Sequence, residues 1–89
     1  MELIAILIKD SALCDFAKKK ILNAVKTIPD LNITFLDYDE DYDKFAKMNI
    51  KLEGLPTFLL LNENHEIIKK YVGGDQKTIE SIINELKDN

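Results

Sequence analysis

The chain is poor in the residues that build disulfides, metal centres and phosphate-binding loops. Its 89 residues include one cysteine, Cys14, one histidine, His65, and three glycines. A lone cysteine excludes an internal disulfide and is typical of a reducing compartment, so we expect a cytoplasmic protein. One histidine far from one cysteine does not indicate a metal site, and neither G-x-G-x-x-G nor a phosphate loop occurs. We therefore expect neither a metal nor a cofactor.

Long apolar runs and basic patches are also missing. The longest apolar run, 3–8, is far too short to span a bilayer. Glu2 precedes this run where a signal peptide carries positive charge, and no small-residue cleavage site follows. The net charge is −4 and the pI is about 4.9, with no cluster of lysines among aromatics. We expect no membrane and no nucleic acid among its partners.

The composition that remains is ordinary for a small folded protein. Hydrophobic residues make up 46% of the chain and charged residues 31%, which argues against disorder. A chain of this length can bury one hydrophobic core and has no room for a second. The sequence therefore predicts a single domain over residues 1–89.

Hydrophobic periodicity predicts strands and helices in the order β-α-β-α-β-β-α. A continuous apolar run indicates a strand buried on both faces, whereas apolar residues three and four apart indicate a helix. The polar stretch 62–64 separates two β-prone runs as a hairpin turn does. The predicted elements are strand 3–8, a helix from about 11 to 27, strand 33–37, a short helix containing Phe45, Ala46 and Met48, strands 57–61 and 66–72, and a last helix that is capped by Asp75 and carries Ile79, Ile82, Ile83 and Leu86.

The first predicted helix has one apolar face. At about 100° per residue, six residues share a stripe that should face the sheet. Lysines 18–20 take the flank and back of the helix, which is a solvated face. Phe16 lies away from the stripe and either contacts a partner or is covered by another element. The stripe consists of Cys14, Ala17, Ile21, Ala24, Val25 and Ile28.

The most informative motif is Gly54-Leu55-Pro56-Thr57, which directly precedes the apolar run 58–61. A proline cannot donate a ladder hydrogen bond, so it is tolerated at the first position of a strand or in a tight turn. Such a turn sometimes contains a cis peptide bond. Main-chain groups held beside the proline could pair with an extended peptide, which makes this turn a candidate docking edge.

These features together resemble the thioredoxin/glutaredoxin superfamily over nearly the whole chain. The resemblance rests on the order of elements, on the motif at 54–57, and on Tyr71-Val72-Gly73-Gly74 before the last helix. It implies an α/β domain with a four-stranded mixed sheet and helices on both faces. It also implies a cis proline lying against a C-x-x-C motif at the start of the first helix. The binding residues expected from the motifs and from the exposure of the first helix are Leu55, Pro56, Thr57, Phe16 and Gly73.

The chain departs from the C-x-x-C pattern. In one alignment, Ser11-Ala12-Leu13-Cys14, Ser11 takes the place of the attacking cysteine and Cys14 that of the resolving cysteine. In the other, Cys14-Asp15-Phe16-Ala17, Cys14 is the nucleophile and the second thiol is lost. We favour the first, because helical spacing places Cys14 on the buried face of the helix, and because serine is a good N-cap residue.

Two functions remain open, since dithiol exchange needs two thiols and the chain has one. The first is a thioredoxin-like module that binds an extended peptide or a thiol-bearing protein beside Pro56, with at most monothiol exchange through Cys14. The alternative is a thiol-disulfide oxidoreductase whose nucleophile is replaced by Ser11. The resemblance adds glutathione as a possible ligand.

An acidic segment, 37–43, follows the second strand. It does not match the calcium loop of an EF-hand, since Tyr42 and Met48 occupy the glycine and glutamate positions. Acidic residues are favourable at a helix N-terminus, which explains the segment without a ligand. Because parallel strands end at one edge of a sheet, we expect this segment to place negative charge near Ser11 and to favour basic or neutral partners.

Overall fold

The computed structural model of the protein describes residues 1–88, which fold into one four-stranded sheet with helices on both faces. Strand β1 lies in the interior, parallel to β2 and antiparallel to β3, and β4 pairs antiparallel with β3. The expected mixed-sheet α/β class is confirmed. The elements are β1 Glu2–Leu7, α1 Ala12–Val25, β2 Asn32–Asp37, α2 Tyr42–Ala46, β3 Thr57–Leu61, β4 Ile67–Val72 and α3 Gln76–Lys87, and the sheet order is β2-β1-β3-β4.

Element boundaries differ from the sequence-based expectation at two helices. Helix α1 ends at Val25, and the chain continues in turns in which Thr27 and Ile28 donate their N–H groups to carbonyls three residues back. Helix α2 has only five residues, so Met48, which we expected inside it, lies beyond its end. Within residues 1–88, no helix is both long and apolar enough to cross a bilayer.

Two apolar clusters cover the two faces of the sheet. Successive residues of β1 and β3 point to opposite faces, which explains why both strands are continuous apolar runs. On one face, α1 and α3 pack on Leu3, Ala5, Leu7, Phe58 and Leu60. On the other, Phe45 of α2 packs with Ile4, Ile6, Leu36, Leu59 and Leu61.

The second face is closed mainly by irregular chain. Helix α2 contributes one buried residue, Phe45, while Ala46 is exposed. Further cover comes from the segment 48–55, whose apolar side chains pack against the second cluster and which runs directly into Pro56. Residues 48–55 therefore belong to the core and also position the candidate docking edge. The contributing residues are Met48, Ile50, Leu52 and Leu55.

Helix α3 begins at a side-chain cap. The Asp75 carboxylate accepts hydrogen bonds from the backbone N–H of Thr78 at 3.2 Å and from its hydroxyl at 2.7 Å. The hydroxyl bond is the main reason why the pKa of Asp75 lies below its ordinary value of 3.8, and the backbone bond adds to it. Both bonds favour the ionised carboxylate, so they also couple the stability of the fold to pH.

We expect the free energy of unfolding to fall as the pH drops from about 5 to about 2, because protonation of Asp75 weakens its cap. A group whose pKa is lowered by folding stabilises the protein above its unfolded pKa and loses that contribution in acid. The Asp75→Asn variant keeps an N-cap acceptor but cannot titrate, so its stability should fall less. Urea unfolding at several pH values measures this. Asp30→Asn is the control, since Asp30 is exposed and makes no hydrogen bond within residues 1–88. Equal acid sensitivity in the Asp75 variant and the wild type would contradict the assignment.

Candidate functional site

The turn at 54–57 is held by hydrogen bonds on both sides of a cis peptide bond between Leu55 and Pro56. The Thr57 hydroxyl donates to the Gly54 carbonyl at 2.7 Å. The N–H of Gly73 donates to the Pro56 carbonyl at 2.9 Å, which ties the turn to the end of β4. Pro56 therefore occupies a fixed position at the start of β3.

Gly74 joins this turn to the first turn of α1. A Cβ at position 74 would lie 2.9 Å from both Cγ and the carbonyl oxygen of Leu13, and 3.1 Å from Cγ of Pro56. Contacts under 3.0 Å are not tolerated, so only glycine fits between these two groups. The structure thus brings Pro56 and the segment 11–14 together, as the resemblance implied.

The surface beside Pro56 is formed by its neighbours. The Pro56 side chain is itself buried, whereas Leu55 is half-buried and Leu13 is 47% exposed. Within residues 1–88, the main-chain N–H and C=O of Leu55 have no hydrogen-bond partner. An exposed leucine thus lies close to a main-chain segment with free pairing groups.

Ser11 is the N-cap residue of α1. It has an extended backbone, and its Oγ accepts a hydrogen bond from the N–H of Cys14 at 3.2 Å. Its own carbonyl accepts from the N–H of Asp15 at 3.0 Å. The preceding Asp10 has a φ of 60°, which lets the chain turn sharply from β1 into the cap. Ser11 is half-buried at the edge of the site.

The thiol of Cys14 points into the first core cluster. Cys14 is 1% exposed, although it contributes to the lining of a cavity of about 250 Å³ between α1 and β2. This low exposed fraction means that a partner sulfur does not reach Cys14 in the folded protein, because the partner sulfur must contact Sγ itself. The stripe predicted from helical spacing is confirmed for Cys14, Ala17 and Ile21, which are buried. Ala24 and Val25 are half-buried, and Ile28 lies beyond the end of the helix.

No histidine accompanies these groups in the described part of the chain, although the carboxylates of Asp15, Asp37 and Asp41 line the same cavity as Cys14. His65 lies in the β3–β4 turn, where its Nδ1 is 3.4 Å from Oε1 of Glu2. Glu2 begins β1, whereas Ser11 follows the other end of that strand, so His65 is remote from Ser11. Residues 1–88 also contain no group of three or more His, Cys, Asp or Glu side chains arranged to hold a metal.

Two expected binding residues have structural roles instead. Thr57 is fully buried and its hydroxyl closes the turn, so its side chain is not available to a partner. Gly73 has a φ of 117°, which favours glycine, and its N–H is already bound to Pro56. Phe16 is 40% exposed, but it lies in a groove between α1 and α3 rather than against Pro56.

Several carboxylates of the acidic segment 37–43 are paired within the segment or with Lys9. The Asp37 carboxylate accepts the N–H groups of Asp39 and Glu40, and Glu40 pairs with Lys9 across the site edge. The bond to Glu40 raises the pKa of Lys9. The Asp41 carboxylate accepts the N–H of Asp37 at 2.8 Å, which is the main cause of its lowered pKa. A net negative rim remains a prediction, weakened by these pairings.

Sequence reasoning did not identify Leu13 and Gly74. The glycine pair at 73–74 was visible as a break before α3, but nothing in the sequence shows which segment approaches it. Leu13 lies off the buried stripe of α1, and its exposure beside Gly74 follows from the tertiary packing.

Comparison with known proteins gives structural neighbours but no sequence relatives. No family model matches the chain, and no curated protein matches it. It is similar in structure to mitochondrial thioredoxin 3 of Saccharomyces cerevisiae, with 19% identity and a TM-score of 0.79 over 99% of this chain and 77% of that one. Thioredoxin 1 of Thermosipho africanus has 20% identity and a TM-score of 0.79 over 99% and 92% of the two chains.

A third neighbour, the oxidised thioredoxin of Plasmodium falciparum, has 18% identity and a TM-score of 0.79 over 94% of this chain and 78% of that one. Identities at this level support a shared fold and carry no information about activity. The resemblance drawn from the sequence is thus confirmed for the architecture, and the chain has the thioredoxin-like fold.

Proposed function

We propose that the protein is a binding module for an extended segment of a partner protein, which docks beside the 54–57 turn and the first turn of α1. The observation that carries this proposal is the unpaired main chain of Leu55. Pro56 and Gly74 hold it in place next to α1. Unpaired N–H and C=O groups on a fixed main-chain segment can pair with an extended partner chain, which is the basis of recognition by strand addition.

The partner would make two kinds of contact. Its main chain would pair with the N–H and C=O of Leu55, which supplies affinity with little dependence on sequence. Its side chains would pack on Leu13, whose exposed surface lies beside Gly74. Because both contacts lie on fixed backbone, the site loses little conformational freedom when it binds.

Thiol chemistry contributes little in this conformation. Dithiol exchange needs an attacking thiolate and a resolving thiol, whereas this site has the hydroxyl of Ser11 and one buried thiol. A partner disulfide or glutathione disulfide would reach Cys14 only when the first turn of α1 opens. Cys14 would then form a mixed disulfide with one sulfur and release the other as a thiolate.

We expect Cys14 to react with Ellman's reagent at least about 100-fold more slowly in the folded protein than in urea, because labelling requires local opening. The Leu13→Cys variant in a Cys14→Ala background is the matched control, since position 13 is exposed on the same helical turn. That cysteine should react quickly when folded. Equal labelling rates at positions 13 and 14 would instead favour monothiol exchange.

Peptide binding tests the docking proposal directly. Peptides would be selected from a random library on the folded protein, and their affinities measured by fluorescence anisotropy. We expect Gly74→Ala to weaken binding about 10-fold or more and to reduce stability by about 1–3 kcal/mol, because the new methyl group forces Leu13 away from Pro56. Leu22→Ala is the control, since Leu22 is exposed on α1 away from the 54–57 turn. Failure to select any binding peptide would contradict the proposal.

A replaced-nucleophile oxidoreductase is the second candidate, and the position of Ser11 favours it. Its Oγ lies against the first turn of α1, where a thiol at position 11 would approach Cys14. In a Ser11→Cys variant, the thiolate at position 11 would attack a substrate disulfide. Cys14 would then displace the second substrate sulfur, closing an 11–14 disulfide that added dithiothreitol reduces again.

We expect Ser11→Cys to form the 11–14 disulfide on oxidation and to catalyse insulin reduction above the background rate. Ala12→Cys is the control, because residues two apart on a helix do not face each other. The disulfide is read by mass spectrometry, and insulin reduction by turbidity. A folded Ser11→Cys variant no more active than Ala12→Cys would count against this candidate.

A further inference from the structure

A groove of about 310 Å³ runs between α1 and α3, apart from the cavity beside Cys14. Its apolar lining includes Phe16, which is 40% exposed although it is aromatic. Ile79 forms a buried part of the lining and Ile83 a half-buried part. The polar residues of the lining are Lys20, Gln76 and Glu80.

The groove is continuous with the docking surface. Leu13 and Phe16 are three residues apart on α1, so they share one side of the helix. Leu13 meets Gly74, and α3 begins two residues later at Gln76, which lines the groove. A chain segment that lies along Leu55 and Leu13 can therefore continue over the start of α3 into the groove.

The groove has the size and character to hold a side chain. An apolar cavity of about 150 Å³ is large enough to bind benzene, so this groove can take an aromatic ring or a leucine. The Lys20 ammonium lies 5.6 Å from the centre of the Phe16 ring, and Gln76 donates to Glu80 at 3.0 Å. The lining thus combines three apolar side chains with three polar or charged ones.

Two carboxylates lie along this path. Asp75, the N-cap residue of α3, lies where the path enters that helix, and Glu80 lines the groove. The ammonium groups of Lys20 and Lys77 also lie nearby, since Lys20 lines the groove and Lys77 helps to lower the pKa of Asp75. The whole chain carries a net charge of −4, so a basic segment is attracted to this surface and a second copy of the chain is not.

We propose that the groove is a specificity pocket for a large apolar side chain of the partner segment, which carries a lysine or arginine close to that residue. This inference rests on the proposed function and defines its partner: a basic, extended protein segment with one aromatic or leucine anchor. The anchor fills the space between Phe16 and Ile83, and the basic residue lies near Asp75 and Glu80. The main chain is held by Leu55.

The test uses peptides selected from a random library on the wild-type protein. We expect the selected peptides to share a large apolar residue near a lysine or arginine. Replacing that residue by alanine, or changing Phe16→Ser, should each weaken binding by about 10- to 100-fold, the factor expected for one buried apolar side chain. Combining both changes should cost little more than either alone, because each removes the same contact.

Two further comparisons guard against a folding artefact. Glu80→Lys alters only the margin of the groove and should weaken basic peptides, with an effect that shrinks as salt rises. Leu22→Ser on α1 and Glu63→Lys in the β3–β4 turn are the matched controls, since both residues are exposed outside the groove. Neither control should change affinity. Circular dichroism establishes that each variant is folded.

The remaining outcomes separate the two proposals. If Gly74→Ala weakens the peptides but neither Phe16→Ser nor Glu80→Lys does, the pocket is wrong and the docking edge stands. If no variant matters, or no peptide is selected, both proposals fail. If Phe16→Ser instead dissolves a concentration-dependent dimer seen by sedimentation, the occupant is a second copy and the proposed partner is wrong.

Discussion

Three segments of this protein meet at a point where no side chain fits. The first turn of α1, the turn at 54–57 and the entry to α3 converge on Gly74, whose missing Cβ lets Leu13 and Pro56 approach each other. The hydrogen bond from Gly73 to Pro56 sets the spacing of the last two segments. The orientation of the Leu55 main chain follows from this contact, and so does the opening of the α1–α3 groove beside it. The candidate site is a product of packing rather than of any one reactive group.

The groups proposed to bind a partner are different from the groups that would carry thiol chemistry. Ser11 caps α1 and Cys14 packs against the sheet, so both residues have structural roles in the first turn. Neither has a histidine beside it within residues 1–88, and the thiol is shielded from solvent. The main-chain groups of Leu55 need no partner residue to act, since pairing with an extended chain requires only that they be free and fixed. Binding is therefore the function that the geometry supports best.

The fold was largely predictable because local patterns determine its elements. The apolar run 3–8 predicts a doubly covered strand, and the spacing from Cys14 to Ile21 correctly places one side of α1 against the sheet. The position of Pro56 just before the apolar run 58–61 identifies the turn at which the candidate site lies. The burial of Pro56 itself was not predictable, since it depends on segments distant in sequence.

The rest of the site depends on contacts that sequence periodicity does not report. Helical spacing shows that Phe16 leaves the buried stripe, but only the position of α3 shows that it enters a groove. The pairing of Lys9 with Glu40 joins residues 31 apart. Thr57 was expected to contact a partner, yet its hydroxyl donates to the Gly54 carbonyl inside the turn.

The segment 48–55 links the candidate edge to the interior. It has no regular hydrogen-bond ladder, so apolar contacts on the second cluster hold much of it in place. The part of it that precedes the fixed turn at 54–57 is of the kind that opens first in native-state fluctuations. Any molecule that clamps Leu55 would suppress such openings and slow amide exchange in the strands beneath, at Ile6 and Leu59. Binding at the surface beside Leu55 would thus make the second cluster more rigid, on the face of the sheet opposite α1 and α3.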